Sequence, residues 1–558
     1  MAREMTPPEA GPSSPSSTTQ AVPGFTEQEA YLYRVFETFD AGTFDWNAYQ
    51  GTYKGRALIV RLMHIATLVR LPLPANAPPP PPPLLQLMRS ALERVTALLK
   101  ESTWDVQTYT QAITLLDAID SIERRSQAGM DVDTPSGGAG TGSGADMDWV
   151  ETARENEKKE SAKLDVELRG YMSNLIKESI RLTYLAFGEL SLKAGSSSAA
   201  MKNFSAAREY STSGQHHLDL QTAIIDTCLS YNLISSISGH ITKLEAALNR
   251  LYPAPGSDKQ PGGGPGKSTQ DMASMTASDV RDSRERQAKG SAVRQKVGVQ
   301  IRVARGLLAL SNRRFEEAGR NFAEIGEEGG LNDWEGVAIS TSDVALITAL
   351  CVLSTGDRSR IRRVLLERTS FRTSLEDSQT WVLDLINAFI AAEYSKASQT
   401  LQRAEPFLLL NPYLAPHISE FRLLLDSRSI VQYVEPFLTV KIATMASSFG
   451  VPESSMLDQI VDLIHKGKIK GKVDLIDRVL VLKEADPRSK VIAHALAVGK
   501  ETTAASHAAL VRMRMHEAGI AVDPKPIKAD ELAAQSDPLV QGTVQGGGEM
   551  QQPSAVEA

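Results

Sequence analysis

The sequence predicts a mainly α-helical protein: a solenoid of paired helices, then a small module of three helices and two short strands, then one long helix. Three observations predict it. Apolar residues recur at helical spacing through most stretches between the Gly- and Pro-rich breaks. Gly188, Gly195, Ala200, Phe204 and Ala207 carry the spacing of a two-helix repeat, and Gly306, Ala318 and Phe322 repeat three of those offsets. Only two short β runs, GKVDL (471–475) and VLVLK (479–483), stand out among the later helices.

Bulk properties bound the rest. The chain has 558 residues, 42% hydrophobic and 23% charged, the composition of an ordinary soluble protein of several domains. Its formal net charge of -7 gives no global attraction to nucleic acid or to an anionic membrane. The two cysteines, Cys228 and Cys351, form neither a disulfide framework nor a zinc spacing, so a reducing compartment is expected. The start, MAREMTPPEAGPSSPSSTTQ, lacks the apolar stretch of a secretory leader. No apolar run approaches the roughly 18 residues of a membrane helix. Cytoplasm and nucleus are the expected locations, with no membrane partner.

The elements follow in order. Residues 1–24 are rich in Pro, Ser and Thr and are expected to be disordered. Residues 25–127 form a helical region interrupted by LPLPANAPPPPPP at 71–83. Pro78 to Pro83 read as a polyproline II rod of about 19 Å, a spacer in preference to a ligand for an SH3-type domain. Residues 128–148 form a Gly/Ser linker, and 149–251 hold tetratricopeptide-like repeats. There Ile176, Ile180, Thr183, Phe187 and Leu190 make one apolar stripe. The small residues let two helix backbones approach while Phe204 fills the groove between them. Ser191 replaces an aromatic in the first copy, and Arg313 replaces the turn glycine in the second. The fold class is therefore a right-handed helical-repeat solenoid with imperfect units.

Residues 252–290 read as a flexible insertion. Within it, GGGPGKST (Gly262 to Thr269) imitates a phosphate-binding loop. Pro261 occupies the position of the first glycine, Pro265 removes another N–H, and no strand precedes the loop. The stretch is read as linker. Residues 291–425 continue the repeats, with helices expected from about Gln379 to Glu405 and from Tyr413 to Asp426. Residues 426–488 then supply SIVQYVEPFL, TVKIATMASSFG and VPESSMLDQIVDLIHKG as three helices, the last begun by Pro452 and Glu453 and ended by Gly467. With the two β runs they make a winged helix. Residues 489–518 form the long helix, on which Ile492, Leu496, Gly499, Thr503, Ser506, Leu510 and Met513 step by four and three. Residues 519–558 are a loose tail.

A winged helix raises the question of DNA. Its wing is basic, through Lys466, Lys468, Lys470, Lys472 and Arg478 among others. The helix that would enter a groove instead carries Glu453, Asp458 and Asp462, and of the usual base-reading residues only Gln459. Protein contact is the favoured reading and nucleic acid the lesser one. The expected interface is the edge of the wing, Gly471, Val473, Leu475, Val479 and Val481, together with Ile492, Leu496, Leu510 and Met513 on the long helix. No catalytic, cofactor or metal-binding residue is assigned. The nine histidines (64, 216, 217, 240, 417, 465, 494, 507 and 516) offer neither H-x-H nor H-E-x-x-H, and no G-x-S-x-G elbow occurs. His417 is read as a packing or capping residue.

A helical-repeat region running into a winged helix resembles the PCI-domain family, shared by scaffold subunits of the proteasome lid, the COP nine signalosome and translation initiation factor three. The stretches that carry the resemblance are YQGTYKGRALIVRLMHIA (49–66), IKESIRLTYLAFGELSLKAG (176–195), FSAAREYSTS (204–213), NPYLAPHISEF (411–421) and 429–474. In the first, Tyr49, Tyr53, Gly55, Ile59, Arg61, Leu62, Ile65 and Ala66 hold the pattern. Within the family the signalosome branch is the nearer match, and the lid branch is the alternative. The resemblance implies a scaffold whose partners are sister subunits, docked through the winged-helix edge and a shared helix bundle. It implies an indirect tie to cullin–RING ligases, with no cofactor and with the metalloprotease chemistry in another subunit.

Overall fold

The computed structural model describes residues 26–37, 39, 44–73, 78–127, 144–253, 277–327, 330–375, 379–482 and 487–520. The chain divides into two compact units, Met1–Leu482 and Lys483–Ala558. The phosphate-loop imitation, residues 128–143 and both chain ends lie outside the described residues.

In the first unit the helices are α1 (Glu27–Glu37), α2 (Trp46–Thr52), α3 (Gly55–Ala66), α4 (Pro82–Ser102) and α5 (Val106–Gln127). They continue through α6 (Met147–Ser173), α7 (Lys177–Lys193), α8 (Ser197–Glu209), α9 (Gly214–Ser230), α10 (Ser238–Leu251), α11 (Ala277–Ser311) and α12 (Phe315–Glu327). Next come α13 (Thr341–Thr355), α14 (Arg358–Ile361), a π turn (Arg362–Leu366), α15 (Thr369–Ser374), α16 (Thr380–Ile390), α17 (Tyr394–Leu409) and α18 (Ile418–Val434). The winged helix is completed by β1 (Thr439–Lys441), α19 (Ile442–Phe449), α20 (Glu453–His465), β2 (Gly471–Asp474) and β3 (Val479–Leu482). The mainly α class with a terminal winged helix is the architecture observed. No helix among the described residues is long and apolar enough to cross a membrane.

The repeat pairs pack as their small residues require. A Cβ on Gly188 would collide with the Phe204 ring, and one on Gly306 would lie 2.6 Å from the Phe322 ring. Both rings are buried, so neither can swing aside. Gly188→Val is expected to cost about 1–3 kcal/mol through overpacking. The check is the melting transition, with Phe204→Leu in the same chain restoring part of the loss. The turn between α7 and α8 uses Gly195 at φ 80°, packed against the buried Asp105 carboxylate. Asp105 accepts 2.5 Å from Arg56 Nη1 and 2.9 Å from the Thr108 N–H, which caps α5. At the corresponding turn before α12, Arg313 adopts φ 59°. A non-glycine side chain there faces solvent and tolerates the left-handed region at some energetic cost.

Several expectations change. The proline run is not a six-residue rod: Pro82 and Pro83 open α4, while Pro80 and Pro81 are buried. Proline suits the first helical turn, where its missing N–H has no helical partner to lose. A buried, partly helical run cannot present a continuous polyproline ligand. The helix α11 starts at Ala277, within the stretch read as an insertion. The helical stretch expected from about Gln379 to Glu405 holds two helices, α16 and α17, divided where Ala392 takes φ 63°. SIVQYVEPFL is no separate helix. Residues 429–434 continue α18, whose Phe421, Leu425, Ile430 and Val434 stay buried up to the break at Pro436. The stretch TVKIATMASSFG opens with a strand before its helix.

Inside the α9–α11 packing, burial pushes the Asp226 carboxyl up to about 7, and nearby Lys296 and Gln300 offset only part of that rise. Its Oδ1 and the Oε1 of Gln300 both lack donors among the described residues. A carboxyl raised above its unfolded value opposes folding increasingly as pH climbs from about 4 toward 7, because the unfolded chain gives up its proton first. Asp226→Asn is therefore expected to raise the melting temperature at pH ~8 and to change it little at pH ~4.

The second unit contains α21 (Pro487–Glu517) as its only described helix. Its stripe from Ile492 to Met513 runs about 30 Å along one face. The unit offers that stripe no second described helix to pack on.

Candidate docking surfaces

The wing is a three-stranded antiparallel sheet in the order β1-β3-β2. Thr439 pairs with Val481 and Lys441 with Val479; across the other side Lys472 pairs with Val481 and Asp474 with Val479. The strand β3 is thus central, which sequence reasoning missed because β1 is only three residues long. Alternation across this register separates two faces. Val440, Leu480 and Val473 turn inward onto a small core with Ile430, Met445, Met456, Ile460 and Leu463. Val479 and Val481 stand on the outer face between Lys441 and Lys472.

The predicted wing residues therefore meet on one sheet but in different places. Gly471 lies on β2, an edge strand, where a Cβ would sit 2.8 Å from the Val481 carbonyl oxygen. Val473 shares that strand but faces the core. Val479 and Val481 are on the central strand, so they belong to the outer face and not to the edge. Leu475 and its neighbour Ile476 form the exposed tip of the wing, 69% and 93% accessible. Arg478, at φ 52°, ion-pairs with Glu453 at 2.9 Å and anchors the tip to the start of α20. Lys466 pairs with Asp462 on α20. Lys468, Lys470 and Lys472 flank the edge, exposed and with no side-chain partner among the described residues. Among the described residues the edge of β2 thus lies beside an apolar tip and these three lysines, while Glu453, Asp458 and Asp462 lie on α20. Ile492, Leu496, Leu510 and Met513 lie on α21, in the other unit.

A buried polar hub, which sequence reasoning did not find, joins the N-terminal helices to the repeats. Arg61 on α3 donates from Nη2 to Asp343 Oδ2 at 2.5 Å and to the Ala338 carbonyl at 3.2 Å. Its guanidinium lies 3.8 Å from the Tyr53 ring centroid, a cation–π contact in a desolvated setting. Asp343 also accepts from Tyr53 Oη at 2.7 Å, from Asn411 Nδ2 at 2.8 Å and from the Ser340 N–H at 3.2 Å. With Ser340 it forms the capping box of α13. Burial alone would lower the Arg61 pKa, but Asp343 and the neighbouring tyrosines outweigh it, so the guanidinium stays charged. Burial also holds the Tyr53 hydroxyl well above the ordinary tyrosine range. Outside the hub, His64 Nε2 lies 3.1 Å from the Leu409 carbonyl. The stretches 49–66 and 411–421, singled out by resemblance, thus converge on one carboxylate. A signal was present in the sequence: an arginine amid the apolar residues of ALIVRLMHIA needs an acid partner once buried. Its partner is 282 positions away and could not be named.

Comparison with known proteins follows this geometry. Residues 146–364, from the start of α6 into the π turn, match the family described as 26S proteasome subunit RPN7. Residues 399–484, spanning the winged helix, match the PCI domain. The chain is 28% identical over 356 residues to COP9 signalosome complex subunit 1b of Drosophila melanogaster, covering 64% of this chain and 60% of that protein. It is 26% identical over 372 residues to COP9 signalosome complex subunit 1 of Arabidopsis thaliana, covering 67% and 74%. Against subunit 1 of Emericella nidulans the identity is 27% over 390 residues, covering 68% and 70%.

Proposed function

We propose that this chain, similar to subunit 1 of the COP9 signalosome through its helical repeats and its winged helix, is a non-catalytic scaffold of that complex. The signalosome removes a ubiquitin-like modifier from cullins and so regulates cullin–RING ubiquitin ligases. The observation that carries the reading is the resemblance at subunit level. The RPN7 match alone suits a proteasome lid subunit equally well, whereas the relatives that match 64%, 67% and 68% of this chain are subunits 1 of the signalosome. Docking through the wing edge and tip, and through the stripe of α21, is the mechanism supported by the geometry of β2 and by a helix with no partner among the described residues of its own unit. The modifier-cleaving metalloprotease would reside in a sister subunit, contact with the ligases would be indirect, and nucleus and cytoplasm are the expected locations.

The test is reconstitution. The purified chain should release no modifier from a conjugated cullin, while the complex assembled with it should do so faster than the complex assembled without it. Turnover by the isolated chain, or full activity of a complex lacking it, contradicts the reading.

A further inference from the structure

We propose that the arginine-rich turn from Asp357 to Arg372 is a second docking surface, one that takes a carboxylate-rich segment of a partner protein. Six arginines, Arg358, Arg360, Arg362, Arg363, Arg368 and Arg372, and no lysine occur there, against Asp357 and Glu367, in a chain of net charge -7. The six divide by role. Arg358 donates 2.9 Å to Tyr394 Oη, Arg360 donates 3.1 Å to Glu316, and Arg368 donates 3.2 Å to the Ala323 carbonyl. These three pin the turn to the repeats. Ile361, Val364, Leu365 and Phe371 are buried beneath it.

The remaining three behave differently. Arg362, Arg363 and Arg372 are exposed, and none has an ion pair or side-chain hydrogen bond to another described residue. They lie on adjoining elements: the π turn bearing Arg362 and Arg363 packs on α15, which bears Arg372. The wide turn closes with the Glu367 N–H donating to the Arg362 carbonyl at 2.9 Å. Irregular turns of this kind concentrate at functional positions.

Chemistry selects the occupant. Guanidinium groups present planar forks that match carboxylates two bonds at a time, and they shed water more readily than ammonium groups. Three on adjoining elements, with no partner among the described residues, repel one another until an anion joins them. A nucleic-acid backbone fits less well: the cluster is short, and Glu367 and Asp357 are interleaved with it. An acidic peptide can place its carboxylates around those two positions. This surface lies on elements that precede the winged helix in the chain and does not depend on which complex the chain joins.

The test uses the full chain and a labelled oligo-glutamate peptide, read by fluorescence anisotropy at low salt and at physiological salt. The triple variant R362E/R363E/R372E should bind at least about tenfold more weakly, with an unchanged melting temperature. Glu367→Gln should tighten binding, and physiological salt should weaken binding to the native chain. Equal affinity of the native chain and the triple variant overturns the proposal, as does no binding to the native chain. Tighter binding of a single-stranded oligonucleotide, lost in the triple variant, also overturns it, in favour of nucleic acid.

Discussion

Asp343→Ala is expected to destabilise the protein by about 3–5 kcal/mol, because it strands the Arg61 charge inside the fold. Arg61 is 2% exposed, and Asp343 is its only ionic partner among the described residues. The loss compounds, since Tyr53, Asn411 and the Ser340 N–H each lose an acceptor and α13 loses its capping box. Arg61→Met in the same chain should recover much of the loss, because an apolar pair of similar volume leaves no buried charge unpaired. Arg61→Lys should not substitute well, since a compact, strongly hydrated ammonium lacks the planar guanidinium that lies over the Tyr53 ring. The measurement is chemical denaturation of the three variants beside the native chain. A cost below about 1 kcal/mol for Asp343→Ala would show that the hub is solvated and not a clamp.

On the function proposed above, Ile492→Asp combined with Leu510→Asp is expected to expel the chain from the signalosome. Each residue lies on the stripe of α21, and burying such a side chain is worth roughly 1.5–3 kcal/mol. An aspartate in a helix bundle replaces that gain with the desolvation of a charge. Substitution at Lys500 or Arg512, off the stripe, should leave assembly intact. Size-exclusion chromatography of the chain mixed with its sister subunits distinguishes the two sets. Co-elution of the double variant with full stoichiometry would show that the stripe is not the contact.

What could be read from the chain and what could not divides by sequence distance. Gly188 with Phe204 and Gly306 with Phe322 were legible, because both members of each contact fall within one helix pair and the same offsets recur. The two later strands of the wing, β2 and β3, were legible as short β runs. The third, Thr439–Lys441, was hidden: three residues carry no period, and their pairing depends on a strand that comes after two further helices. That omission turned Val479 and Val481 from sheet face into edge. The hub was hidden for the same reason, since its carboxylate and guanidinium come from opposite halves of the chain. The packing reading of His417 agrees with its burial and its edge-on ring contact with Phe315 at 5.8 Å, although it makes no side-chain cap at the start of α18. Arg362, Arg363 and Arg372, without a partner among the described residues, carried no motif at all. They stand out only once their three neighbours are seen to be engaged inward.

The most direct measurement is purification of the tagged full-length chain from its native cell at physiological salt, followed by mass spectrometry of what accompanies it. The expected result is a stoichiometric set of signalosome subunits with cullins in lesser amount, all lost when α21 carries Ile492→Asp and Leu510→Asp. Recovery of proteasome lid subunits instead, or of the chain alone, would contradict the assignment.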